Sequence, residues 1–146
     1  MKISTKGRYG LRLMLELALQ EGRGPILVEL LERHSGISGK YIHQLMLALK
    51  HAGLVRTVRG PRGGYELAKP AGAVTALDVV SVLEGPPVPV ECVSSPTTCE
   101  RAGTCVTREL WREVATALED VLSSATLAEL ARRTREQQDE PLTFSI

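Results

Sequence analysis

Directly behind a helix-period stripe the chain switches to a two-residue period, and this switch restricts the fold more than any other feature. Leu54-Val55-Arg56-Thr57-Val58 alternates as a short strand, Arg59-Gly60-Pro61-Arg62-Gly63-Gly64 turns, and Tyr65-Glu66-Leu67-Ala68 returns, so the segment reads as a β-hairpin. Three helical patterns lead up to it. Leu11, Met14, Leu15, Ala18 and Leu19 recur at helical spacing between Gly7 and Glu21, and Gly22 and Gly24 stop the pattern. Leu27, Leu30, Leu31 and His34 form a second, shorter stripe that ends at Ser35-Gly36. Ser38 is a good N-cap for a third helix that turns Ile42, Leu45, Met46 and Leu49 inward, and Gly53 stands where a helix closes on a left-handed residue.

A chain of 146 residues with 43% hydrophobic content buries one modest core, and with only 3% aromatic residues that core is built of aliphatic side chains. This composition favours packed helices over a sheet sandwich. No apolar run approaches bilayer length and the first residues carry no signal-peptide core, which places the chain in the cytoplasm. The net charge of +1 conceals an asymmetry. Residues 1–72 hold twelve Lys and Arg against five Asp and Glu, whereas residues 73–146 hold six against twelve. A basic half is the electrostatic footprint of a nucleic-acid-binding module, because each neutralised phosphate releases condensed counterions.

Two helices joined by a brief Gly-containing turn, the second with a polar face, are what a reader of the major groove requires. The outward face of the third helix carries Lys40, Tyr41, His43, Gln44 and Leu47. Gln44 is long enough for paired bonds to an adenine edge, Lys40 reaches guanine or phosphate, and Tyr41 donates to phosphate or touches a thymine methyl. At the hairpin tip Arg59 and Arg62 stand among glycines and a proline, suited to a close approach and to entering a narrow minor groove. A phosphate cradle fits less well, since the P-loop Lys-Ser/Thr is missing and a strand follows instead of a helix.

The three cysteines, Cys92, Cys99 and Cys105, crowd into one Pro-, Ser- and Thr-bearing loop with C-x6-C-x5-C spacing. An odd number in a cytoplasmic chain does not read as a disulfide framework. Zinc sites usually pair cysteines two to four residues apart, and a cluster tolerates wider intervals, so spacing leans toward iron–sulfur and leaves zinc or a thiol–disulfide switch open. No acid, base or nucleophile constellation accompanies the cysteines, which argues against an enzyme; electron transfer, needing no such constellation, is the enzyme-like alternative.

The stretches KISTKGRYG (2–10), GISGKYIHQL (36–45), GLVRTVRGPRGGYELAKP (53–70) and the cysteine loop followed by LWREV (110–114) resemble the Rrf family of winged-helix bacterial regulators. The likeness runs to about residue 131. It implies a homodimer reading a pseudo-palindromic operator in double-stranded DNA, with Ser38, Lys40, Tyr41, His43 and Gln44 around the recognition helix and Arg59 at the wing. It further implies Cys92, Cys99 and Cys105 as ligands of an iron–sulfur cluster, 2Fe-2S or 4Fe-4S, that senses redox, iron or nitric oxide status. His43 stands where a cluster-binding member has an acidic residue. The histidine that such members place three residues after the last cysteine is here Arg108, a very poor ligand, and an aspartate used elsewhere in the family is here Arg8. Glu91, Glu100, Thr107, His34 of either subunit, or an exogenous small molecule remain for the fourth position.

The expected architecture is therefore mainly α with a small β wing: a winged helix-turn-helix (1–72), a connecting helix and cysteine loop (73–106), a long dimerisation helix with a short helix after it (107–131) and a frayed tail (132–146). Thr75 with Asp78 forms a variant capping box for the connecting helix, and Pro86, Pro87 and Pro89 end it. Leu110, Trp111, Val114, Ala117, Leu118, Val121 and Leu122 offer more apolar surface than one small domain covers, so a second copy should bury the excess.

Overall fold

The structure is a computed structural model that describes residues 2–140. Among these residues the order is α1 (Thr5–Leu19), α2 (Val28–Ser35), α3 (Gly39–His51), β1 (Val55–Val58), β2 (Gly64–Leu67), α4 (Ala76–Glu84), α5 (Glu91–Ser94), α6 (Val106–Ser124) and α7 (Leu127–Asp139). Short 3-10 turns precede α4 at Ala71–Ala73 and follow α5 at Pro96–Thr98. It is the mainly helical, winged architecture expected from the sequence.

Helix α1 is the axis of the fold: α2, α3, α4, α7 and β2 all pack against it. Its fully buried positions are Gly7, Gly10, Leu13, Met14, Leu17 and Ala18. The expected stripe of Leu11, Met14, Leu15, Ala18 and Leu19 is thus displaced, with Leu11, Leu15 and Leu19 only half-buried at the flanks. A helix apolar on most of its circumference takes its inward face from its neighbours, and α4 chooses it by approaching so closely that a Cβ at Gly10 would meet Leu83 Cδ1 at 2.0 Å. The start of α1 is held by Glu84, which accepts from the Ser4 hydroxyl and, at 2.9 Å, from the Gly7 N–H. The Ser4 hydroxyl lowers the pKa of the Glu84 carboxyl.

In α2 only Leu31 and Ser35 are buried, and Leu27 and Leu30 face outward. Helix α3 buries Ile42, Leu45, Met46 and Leu49 and starts at Ser38, whose hydroxyl accepts from the Tyr41 N–H. The wing pairs Val55 with Leu67 through to Val58 with Gly64, antiparallel. On its other side β2 is clamped to the α1–α2 linker, where Ile26 and Tyr65 exchange both backbone bonds at 2.8 and 2.9 Å. That clamp explains Gly64, since a Cβ there would lie 1.9 Å from the Ile26 carbonyl oxygen.

Thr75 and Asp78 form the full reciprocal capping box at α4. After α6 the chain returns to the body: Thr75 bridges Thr126, and the Leu127 N–H donates to the Val74 carbonyl at 2.9 Å. The expectation of a frayed segment from residue 132 is corrected as far as Asp139, because α7 continues there. Leu127 and Ala131 are buried against α1 and the first 3-10 turn, and Glu129, Arg132, Arg133 and Glu136 form an ion-pair ladder along the exposed side. Both arginines hold the Glu129 carboxyl down to about 2. Residues 141–146 of that expected tail lie outside the described residues.

Candidate nucleic-acid interface and cysteine loop

The outward face of α3 is continuous. Lys40, His43, Gln44 and Leu47 are exposed at spacings of three and four, followed by Lys50 and His51 one turn on. Leu47 is 55% exposed, an apolar side chain of the size that meets a thymine methyl. Ser38 spends its hydroxyl on the cap. Tyr41 leans back from this face: its ring meets Tyr9 edge to face at 6.1 Å, and its hydroxyl lies 3.5 Å from Thr5 Oγ1. Lys6, Tyr41 and Gln44 line one groove between α1, α3 and α4, so Lys6 joins the basic surface. The sequence signal for Lys6 was the basic N-terminal segment, which shows no periodicity relative to α3.

Arg59 and Arg62 are exposed at the wing tip, where the Gly63 N–H donates to the Gly60 carbonyl at 3.0 Å. A Cβ at Gly63 would lie 2.1 Å from the Val58 carbonyl oxygen, so the turn closes only without a side chain there. Arg56 is drawn away from this set by Glu66, 2.6 Å across the ladder. The wing and α3 meet at His43, whose Nδ1 lies 2.7 Å from the Tyr65 hydroxyl. Residues 22 apart with no shared period gave no sign of this contact.

The three cysteines are free. Cys92 lies half-buried on α5, Cys99 is exposed after the second 3-10 turn, and Cys105 is half-buried at the N-cap of α6. The Thr107 hydroxyl, 3.1 Å from Cys105 Sγ, together with the Arg108 backbone N–H and the Arg101 charge, lowers the pKa of the Cys105 thiol. Arg108 takes no ligand role; its guanidinium braces the loop by donating to the carbonyls of Cys92 at 2.9 Å and Ala102 at 3.4 Å. His34, one of the residues considered for the fourth position, pairs with Glu16 at 3.2 Å beside the end of α7. Thr107 is engaged by Cys105, and Glu91 and Glu100 are exposed.

The donor set fits an iron–sulfur cluster by its chemistry: three free soft donors on one loop, one of them biased toward thiolate by hydrogen bonds. Among the described residues no three His, Cys, Asp or Glu side chains converge on a point for a single ion. In metal-free protein, Thr107→Val is expected to raise the Cys105 pKa and slow its alkylation at neutral pH by roughly two- to tenfold. Peptide mass spectrometry across a pH series checks the sign: wild-type Cys105 keeps reacting as pH falls below the ordinary thiol range, and the variant loses that reactivity first.

Residues 3–133 match the model of a family described as Rrf2, iron-dependent transcriptional regulator. The chain is 42% identical over 139 residues to the HTH-type transcriptional regulator CymR of Bacillus subtilis strain 168, covering 95% of this chain and 96% of that protein. The solved structure of B. subtilis CymR, described as the global cysteine regulator, is similar with a TM-score of 0.78 at 44% identity, over 91% of this chain and 98% of that one. That of T. potens IscR is similar with a TM-score of 0.81 at 35% identity, over 97% and 93%.

Proposed function

The chain belongs to the Rrf2 family of transcriptional regulators, and from that premise we propose that it is a cytoplasmic homodimer that binds a pseudo-palindromic operator under control of its cysteine loop. The observation that carries the reading is the exposure of Lys40, His43 and Gln44 along α3 together with that of Arg59 and Arg62 at the wing tip. Helix and hairpin are joined through His43 and Tyr65, so both grooves are addressed by one rigid unit. Ser38 positions α3 through its cap, and Tyr41 contributes from the α1 side. No described helix is long and apolar enough to cross a membrane.

Dimerisation rests on α6. Of its 19 residues only Ala115 is buried, while Val106, Leu110 and Val121 stand 75%, 52% and 67% exposed along one side. A second copy supplies the cover such a stripe needs. Cys92, Cys99 and Cys105 would hold the iron–sulfur cluster, which when bound supplies iron whose oxidation or loss registers redox or iron status. Arg108 holds the two ends of the loop, and Cys105 sits at the first turn of α6, so the state of the loop is felt by the helix that sets the spacing of the two half-site readers.

A second reading, a thiol–disulfide or zinc switch on the same regulator, is favoured by two observations: the lowered Cys105 pKa and the likeness to a regulator described as one of cysteine. One experiment separates them. Anaerobically purified protein is assayed for visible absorption, iron and sulfide, then titrated with operator DNA at several salt concentrations before and after oxidation. Iron with stoichiometric sulfide and oxidation-dependent binding is the expected result; iron-free protein that still responds to oxidation moves the reading to the thiol switch. Replacing Arg59 and Arg62 by Ala is expected to reduce the slope of log K against log salt by about one per lost phosphate contact. An unchanged slope would remove the wing from the interface.

A further inference from the structure

We infer that Tyr65 sets the tautomer of His43, so that the recognition helix presents Nε2–H as a hydrogen-bond donor and reads guanine at the base pair it meets. The inference rests on the DNA-binding reading above and names the base chemistry of one position within it.

Tyr65 is a fixed reference. It is only 8% exposed, its ring packs edge to face with the His43 ring at 5.9 Å, and its backbone N–H and carbonyl are both bonded to Ile26. Burial raises its pKa, so the phenol keeps its hydrogen. The phenol oxygen and His43 Nδ1 are 2.7 Å apart. A neutral imidazole carries its hydrogen on one nitrogen only. Were it on Nδ1, the imidazole would donate to the phenol oxygen, and the phenol hydrogen, in a partly buried place, would find no other hydrogen-bond partner among the described residues. With Tyr65 donating to Nδ1, every hydrogen is used, and the hydrogen of His43 must sit on Nε2, across the ring on the exposed side.

That side shares the face of Lys40, Gln44 and Leu47. In the major groove guanine presents two acceptors, N7 and O6, and thymine one, O4, beside its methyl, whereas adenine sets an amino donor beside its N7 and cytosine presents an amino donor. An N–H at this position therefore opposes adenine and cytosine and favours guanine, whose two adjacent acceptors it can share, over the single acceptor of thymine. The other tautomer, with a bare Nε2, would prefer the amino groups. The specificity of a residue on α3 is in this way decided by a residue on the wing, and Tyr65 is a positioning residue that need not touch DNA.

Two measurements test this. In 15N-labelled protein without DNA, at a pH where the imidazole is neutral, the long-range proton–nitrogen spectrum of His43 is expected to show the Nε2–H form, and Tyr65→Phe to shift it toward a mixture. In binding-site selection, the wild type is expected to enrich guanine at one position per half-site by about tenfold or more over adenine or cytosine. Tyr65→Phe flattens that position alone, and His43→Gln, an amide suited to adenine, moves it to adenine. An Nδ1–H form in the wild type, or identical selection by wild type and Tyr65→Phe with both folded by circular dichroism, overturns the inference. A protein that selects no site refutes the DNA-binding reading instead, and the nitrogen spectrum still decides the tautomer.

Discussion

Leu110→Glu is expected to leave the protein monomeric and to weaken operator binding by about 100- to 10,000-fold. The first effect follows from where Leu110 lies. It is in the middle of an exposed apolar stripe that runs from Val106 to Val121 on a helix with one buried residue, so a carboxylate there must be desolvated for a second copy to dock. Removing such an ion from water costs several kcal/mol after relaxation, enough to abolish a dimer held by a few apolar side chains of about 1.5–3 kcal/mol each. The second effect is arithmetic: two linked readers turn the second half-site into an intramolecular encounter, worth about 10²–10⁴ in avidity. Sedimentation equilibrium and an operator titration check both. A variant that stays dimeric with unchanged affinity would move the interface off α6. The α3 surface is left intact, so residual non-specific binding should keep the wild-type fold and much of its salt dependence.

Cys105→Ser is expected to reduce iron retention from near-stoichiometric to almost none and to remove the response of operator binding to oxidation. Cys105 is the cysteine whose surroundings favour thiolate, and the alcohol of serine offers neither that charge nor a soft donor. It also lies at the junction of loop and α6, so its ligation is the most direct link between the centre and the dimer helix. Its side chain is outside the buried core, and circular dichroism and thermal unfolding should change little. Metal analysis of the anaerobic variant beside the wild type is the check. Wild-type iron retained by the variant would remove Cys105 from the ligand set; an oxidation response retained by iron-free wild type and variant alike would favour thiol chemistry elsewhere in the loop.

What the sequence made legible was local. The Ser38 cap and the inward stripe of α3, the Thr75–Asp78 box and the wing turn each depend on residues within a few positions of one another, and each appears in the structure. The buried face of α1 departs from the expected stripe, since a central helix apolar on most of its circumference has its orientation chosen by α4 and α7, which lie more than 50 residues away in the chain. Residues 132–139 were misjudged for the opposite reason. Their composition is that of a solvated tail, and their order comes from Leu127 and Ala131 just upstream and from ion pairs among exposed side chains. At the candidate sites the residue types stood out from charge and spacing alone. The link from His43 to Tyr65 and the bracing of the loop by Arg108 did not, because they join side chains whose separation along the chain follows no period.

Thr75 and Thr126 are neighbours in space, so the chain between them sets out from and comes back to the same place. Helix α4 stays packed on α1, and beyond it the prolines, the cysteine loop and α6 form an excursion whose two ends are already tied. Lengthening such an excursion adds little closure entropy, which grows only with the logarithm of length. Insertions, deletions and changes of ligand set in it need not disturb the body that α7 completes. The helix-and-wing half and the cysteine-loop half can therefore drift at different speeds, and on the proposed function one chassis can be refitted for different signals without having to learn again how to fold.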